Sequence, residues 1–243
     1  MTDVDQLAAH LDAAATSRVA VPQLNAATGL DVPTAYRVQE AVVAHRLARG
    51  ERLVGVKLGL TSRAKMAQMG VDEVIWGRLT DAMWIPDGGT IRLADHIHPK
   101  AEPEVAFLVE RNAVTAVAPA IEVIDSRYVD FRFTLPEVVA DNTSASGFVL
   151  GAWQPVPAGI DNSGVLLEVD GRVVQLGSTA AILGDPRRAL PDAVRLAGAC
   201  DLELPDGSVL LAGAATAAVP LRSGTHVRVT VERLGSASLR VAP

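Results

Sequence analysis

From residue 51 to the end, the sequence breaks into short apolar runs separated by turn signals. Pro86-Asp87-Gly88-Gly89, Asp170-Gly171, Pro205-Asp206-Gly207, Ser223-Gly224 and Leu234-Gly235-Ser236 punctuate it. Runs this short suit strands, and glycine in those turns supplies the backbone angles that tight reversals need. No regular alternation of strand and helix is visible, which excludes a parallel α/β fold. Asp170-Gly171, between Val165–Val169 and Arg172–Val174, is a hairpin signal. His226–Glu232 and Ala237–Val241 predict a closing strand pair. Leu53–Lys57 predicts a buried strand, Ser62–Met69 a short helix capped by Ser62 and stopped at Gly70, and Val209–Leu221 a buried strand with its turn.

The first 50 residues have a different texture. Leu7, Ala8, Leu11 and Ala14 make one helical stripe over Asp3–Thr16. Asp31 can cap a second helix, with Pro33 in its first turn and Gly50 as its stop. Val38, Val42 and Leu47 supply its apolar positions, and Val19–Leu30 between the helices reads as extended. The class is therefore α+β. A helical segment, 1–50, packs on a β-rich catalytic body, 51–243, and no linker separates them into independent units.

The 243 residues are 49% hydrophobic and 21% charged, enough for a sizeable core. A net charge of -6 excludes a nucleic-acid binder built on a basic surface. The lone Cys200 excludes an intrachain disulfide and a multi-cysteine zinc site, so a reducing, cytoplasmic compartment is expected. The opening Met1-Thr2-Asp3-Val4-Asp5 is acidic where a secretory leader is basic, and no apolar run approaches the ~20 residues of a membrane span.

The chemistry concentrates in carboxylates. Glu102 and Glu104 flank Pro103 just before Val105–Val109. In a strand they share a face, about 7 Å apart at their origins, and like charges so placed repel unless a cation lies between them. Pro103 donates no ladder hydrogen bond and predicts an edge, a bulge or a strand start. Glu122 lies inside the apolar run Ala120–Ile124, while Asp125 points the other way. Two readings stay open. The three carboxylates form a hard oxygen site suited to magnesium or manganese, or Glu122 is a structural partner of Arg127 or Lys57. Lys57 closes the apolar run Leu53–Val56 and needs a partner if buried. Asp141–Gly147 reads as a polar loop, and the backbone amides of Gly177-Ser178-Thr179 can receive a carboxylate. His96 and His98 lack further histidine or cysteine neighbours and read as structural. The hydrolase elbow, phosphate loop and dinucleotide fingerprint are absent.

Taken together, these segments resemble the 2-oxopent-4-enoate hydratase and 4-oxalocrotonate decarboxylase family of the fumarylacetoacetate hydrolase superfamily. The resemblance is carried by Gly55–Ser62, Ala64–Val71, Pro86–Gly89, His98–Glu104, Glu122–Tyr128, Val138–Asn142, Leu183–Pro186, Thr216–Pro220 and Leu234–Ser236. Lys65–Gly70, His98-Pro99-Lys100 and Asp125–Tyr128 are similar to the decarboxylase branch. The stretch from Glu104 to Glu122 is shorter than the family pattern, and Leu211–Ala215 replaces a more usual Thr-Gly-Gly run. The resemblance implies a mixed β-roll with peripheral helices. It implies magnesium or manganese on Glu102, Glu104 and Glu122, with Lys57, Asp81 and Arg127 as catalytic candidates. Lys100, Ser178 and Thr179 are its candidates for holding a small 2-oxo dicarboxylate. The expected reaction is decarboxylation of 2-oxo-3-hexenedioate to 2-hydroxypenta-2,4-dienoate in meta-cleavage catabolism of aromatics. Hydration of that dienoate, with Asp81 or Asp125 in acid–base roles, and a non-catalytic scaffold are the alternatives. A homo-oligomer, associated with the pathway hydratase, is the implied assembly.

Overall fold

The computed structural model describes residues 3–24, 29–63, 66–67 and 70–243. Helix α1, Val4–Ser17, is capped by the Asp3 carboxylate, which accepts from Gln6 N, and buries the expected stripe of Leu7, Ala8, Leu11 and Ala14. Helix α2, Val32–Ala48, starts at its Asp31 cap with proline in the first turn. Its buried face is Ala35, Val38, Gln39 and Val43 rather than Val38, Val42 and Leu47. The reason is tertiary. Gln39 Nε2 donates to Trp76 O and Val139 O, and so turns α2 toward the sheet edge and toward α3, Leu135–Ala140. These helices share one apolar cluster with Ile75, Tyr128, Val138 and Val139. The short helix expected over Ser62–Met69, and the middle of the extended segment before α2, fall on or around residues outside the described ones.

The body is built from two mixed sheets. The larger contains β1 Leu53–Gly59, β2 Ile75–Thr80, β3 Trp84–Ile85, β5 Lys100–Glu110, β6 Ala113–Ile124, β7 Ala145–Leu150, β10 Ser208–Ala214 and β11 Val219–Pro220. Its order is β2-β1-β10-β5-β6-β7-β3, with β11 pairing beside the start of β5. The smaller contains β4 Thr90–Arg92, β8 Gly164–Val169, β9 Arg172–Ser178, β12 His226–Val231 and β13 Gly235–Ala242, in the order β4-β13-β12-β8-β9. Both predicted hairpins, β8–β9 and β12–β13, form. Helix α4, Ala189–Gly198, which the sequence did not announce, buries Leu190, Ala193 and Leu196 against the larger sheet. Between the sheets Phe107, Val117, Ile121, Leu167 and Leu239 are fully buried. Each such side chain contributes roughly 1.5–3 kcal/mol.

The long hairpin β5–β6 is the spine. Arg111 and Asn112, both left-handed, close it as a two-residue turn, which accommodates the short Glu104–Glu122 stretch. Near that turn the ladder pairs Val109 with Val114. Beyond it Leu108 pairs with Ala116, and Thr115 is left over as a bulge. Of the edge, bulge or strand start expected at Pro103, the structure has a bulge, in the neighbouring strand: Pro103 sits in a central strand, between β6 and β10. The sheet tolerates it because β10 breaks register between Leu211 and Ala214 opposite the proline. Gly213 in that bulge has φ +117°, and a Cβ there would meet Thr61 Oγ1 at 2.1 Å.

Gly55 in β1 tests this packing. A Cβ there would lie 1.9 Å from Val209 O of the parallel neighbour β10. Gly55→Ala is expected to lower the melting temperature by roughly 5–10 °C, the consequence of overpacking against backbone. Gly198→Ala, with nothing within 4 Å of the new methyl, should leave it unchanged or raise it. Thermal unfolding of both variants by circular dichroism checks the contrast.

Candidate active site

The β5–β6 register places Glu102 directly opposite Glu122, and Glu104 opposite Ala120. One oxygen from each of the three carboxylates lies within 4.8 Å of the other two, and all three residues are buried. Beneath them the same sheet face continues into Ala106, Ala120, Leu211 and Phe148, a dry floor. Lys57 approaches from β1, which lies three strand spacings from β6. On a flat sheet that is about 14 Å, so the pair exists because the sheet curls. Lys57 Nζ stands 2.9 Å from Glu122 Oε1, with the lysine 3% and the glutamate 1% exposed at the side chain. Its second partner is the carbonyl of Thr143, at 3.1 Å. Both open readings of Glu122 therefore hold together: it pairs with Lys57 and it belongs to the carboxylate triad. Arg127 does not reach it.

Among the described residues, Glu104 and Glu122 share a single lysine. Burial, then the neighbouring Glu122, pushes the Glu104 carboxyl well above its usual 4.5, although Lys57 and the Gly213 amide oppose the shift. Burial raises Glu122 as well, against the pull of Lys57. Glu104 Oε2 accepts from Gly213 N at 2.9 Å, whereas Glu104 Oε1 and Glu122 Oε2 receive no hydrogen bond among the described residues. Buried oxygens of Glu104 and Glu122 without donors among the described residues, converging with the Glu102 carboxylate, fit a hard divalent cation. The donor set contains no sulfur or imidazole and so disfavours zinc and copper.

A cavity of about 110 Å³ opens beside Lys57 and Glu102. Ile75, Ile124, Phe131, Phe133 and Val138 give it apolar walls, and Thr143 and Ser144 also line it. The Ser144 hydroxyl is buried and has no hydrogen-bond partner among the described residues. The polar loop expected at Asp141–Gly147 is in fact a buried turn over Asn142–Ser144 that runs into β7. Asn142, Thr143 and Ser144 all have positive φ, between 49° and 57°, which costs non-glycine residues about 1 kcal/mol or more each.

No family model matches the chain. It is 51% identical to a 4-oxalocrotonate decarboxylase of Pseudomonas sp, over 97% of this chain and 96% of that protein. The chain belongs to the 4-oxalocrotonate decarboxylase family. A solved family structure, the decarboxylase from Pseudomonas putida G7 complexed with magnesium and adipate, superposes with a TM-score of 0.93 at 35% identity, covering 98% and 97% of the two chains. A 2-keto-4-pentenoate hydratase of Paraburkholderia xenovorans strain LB400 is 34% identical over 85% of this chain and 82% of its own. The decarboxylase likeness thus exceeds the hydratase likeness in both identity and coverage. The fold is the family's mixed β-roll, an α+β architecture.

The remaining candidates have contacts of their own outside the triad. Lys100 opens β5, with Nζ 3.7 Å over the Phe131 ring, and burial lowers its pKa while Glu102 opposes the shift. Arg127 is engaged by its own fold. Its Nε pairs with the buried Asp141, and its Nη atoms donate to the carbonyls of Asp125 and Asp141. Asp81 accepts from Arg52 N and Arg52 Nε, away from the cavity. Ser178 Oγ donates to Asn162, and Thr179 Oγ1 donates to Ile160 O. Of the Gly177-Ser178-Thr179 amides, that of Thr179 is occupied by Ser163 O. Asp125 instead accepts from Ile97 N and His98 N. What sequence reasoning missed is the Thr143 carbonyl, Ser144 and the Gly213 amide. A threonine in a left-handed turn leaves no propensity signal.

The raised Glu104 pKa has a sign. A carboxyl that binds its proton more tightly when folded favours the folded state below the usual 4.5, and loses that contribution as pH rises through its folded value. In chelator, the melting temperature should therefore fall, as pH rises above the ordinary carboxylate range, more steeply for the native chain than for Glu104→Gln. Added Mg2+ or Mn2+ should raise the native melting temperature most at the alkaline end. Differential scanning fluorimetry across pH, with and without cation, makes the measurement.

Proposed function

We propose that the chain decarboxylates 2-oxo-3-hexenedioate (4-oxalocrotonate) to 2-hydroxypenta-2,4-dienoate and CO2. The observation that carries this is the triad Glu102, Glu104 and Glu122 with the Lys57 ammonium against it, in a chain 51% identical to a decarboxylase of that name. The adipate in the solved relative is a six-carbon dicarboxylate, the same length as the proposed substrate. Held by the three glutamates, magnesium or manganese would supply Lewis acidity toward the 1-carboxylate and 2-oxo group.

The protein's own groups do the rest. As the C5–C6 bond breaks, its electron pair moves through the C3–C4 double bond onto the 2-oxo oxygen, CO2 departs, and that oxygen then takes a proton from solvent to become the 2-hydroxyl. Two of the Lys57 donors face Thr143 O and Glu122, leaving the third for that oxygen. Lys57 therefore meets negative charge that grows only in the transition state, where preorganised electrostatics count most. The apolar walls from Phe131, Phe133 and Val138 withhold water from the departing carboxylate. Lys100, above the Phe131 ring, is the proposed guide for that distal carboxylate. No nucleophile is required.

No helix among the described residues is long and apolar enough to cross a membrane. A cytoplasmic location and a homo-oligomer associated with a hydratase belong to the same proposal. An apolar groove on the larger sheet, lined by Leu53, Trp84, Phe148, Leu150 and Trp153, supports the assembly.

The deciding assay supplies freshly isomerised 2-oxo-3-hexenedioate with Mg2+ and measures dissolved CO2, alongside a parallel incubation with 2-hydroxypenta-2,4-dienoate. Release of CO2 well above the metal-only rate is expected. Hydration of the dienoate to 4-hydroxy-2-oxopentanoate, without CO2 from the dicarboxylate, would replace this reading with the hydratase. Lys57→Ala should lower kcat by about 10²-fold while KM moves far less. A change confined to KM would make Lys57 a binding residue.

A further inference from the structure

We infer that Thr143 is a positioning residue that aims the Lys57 ammonium, an inference that rests on the catalytic reading of Lys57 and goes beyond it. Lys57 ends a flexible four-carbon stem, and one carboxylate partner fixes a distance but not a direction. The direction comes from the Thr143 carbonyl, 3.1 Å from Nζ. That carbonyl is held in turn. Thr143 Oγ1 donates to Trp76 O at 2.8 Å on β2, the strand beside Lys57. One residue earlier, Asn142 behaves as a strand partner, with its Oδ1 accepting from Arg78 N at 2.8 Å and its Nδ2 donating to Arg78 O at 2.9 Å.

Two glycines make room for the turn. A Cβ at Gly77 would lie 2.6 Å from Asn142 O, and one at Gly59 would lie 2.7 Å from the Thr143 methyl. Three successive non-glycine residues in the left-handed region persist only where their surroundings over-determine them. Here the surroundings are those three side-chain bonds and two vacated positions. All of them converge on one outcome, the placement of a single carbonyl against Lys57 at the mouth of the cavity.

The test is a double-mutant cycle on the Mg2+-loaded full chain. Thr143→Val removes the hydroxyl and keeps the shape. Trp76 O is not orphaned, because Gln39 Nε2 also donates to it at 2.9 Å. We expect kcat to fall about tenfold, the worth of one hydrogen bond, with KM within about twofold and Thr143→Ser restoring the rate. In a Lys57→Ala background the same change should have no further effect, since Thr143 acts through Lys57. Mn2+ affinity, read by electron paramagnetic resonance, should stay within about twofold, since the carboxylates are untouched. Thr143→Ala serves the same cycle if the valine variant does not fold. An undiminished loss in the Lys57→Ala background, or a parallel loss of Mn2+ affinity, overturns the inference. Native activity in Lys57→Ala alone overturns the catalytic reading beneath it, and this inference with it.

Discussion

Three carboxylates in a dry sheet repel one another, and much of the local structure answers that repulsion. Burial raises the energy of the charged forms of Glu104 and Glu122, and a neighbouring carboxylate raises it again. The fold responds from three directions. Lys57 arrives from β1 because the sheet curls. The Gly213 amide arrives because β10 bulges. The Asn142–Ser144 turn arrives to hold the lysine. What remains among the described residues is lone pairs on Glu104 and Glu122 without donors, the condition a hard cation relieves. A site so arranged is a poor contributor to stability in the absence of metal and a good receptor in its presence.

Pro103 links the backbone to this electrostatic problem. A proline in a central strand removes one donor from the ladder. The neighbouring strand need not then stay straight, and it does not. Its departure puts Gly213 at a positive φ and releases an amide, which turns to Glu104. The residue that weakens the sheet thus lies between the two glutamates, and the freed amide serves one of them.

Much of this was legible in the sequence. Glu102, Glu104 and Glu122 stood out because strands alternate by two and because charge seldom sits in an apolar run without a reason. Lys57 stood out on the same ground. Local caps and turns, such as Asp31 and Asp170-Gly171, were read correctly because their chemistry is local. The failures were long-range. Pro103 read as an edge, a bulge or a strand start, and the sequence left these open because its accommodation depends on Gly213, far along the chain. Arg127 read as a candidate for chemistry because its partner Asp141, burial of which pushes that carboxyl up to about 6 against the pull of Arg127, belongs to another element. The buried face of α2 turned away from Leu47 because Gln39 bonds to two other elements. No propensity announces a left-handed threonine.

The bulge at Thr115 has a consequence for how such a chain can change in length. An odd number of residues separates Glu102 from Glu122, yet a regular hairpin closed by a two-residue turn sets opposed residues an even number apart. Left uncorrected, that mismatch would bring Ile121 opposite Glu102 and send Glu122 to the far face. The surplus residue at Thr115 restores the parity. The bulge is therefore the place where a counting error between tip and site is absorbed, which makes the hairpin's outer end free to lengthen or shorten in evolution by even steps while the metal-facing end keeps its phase.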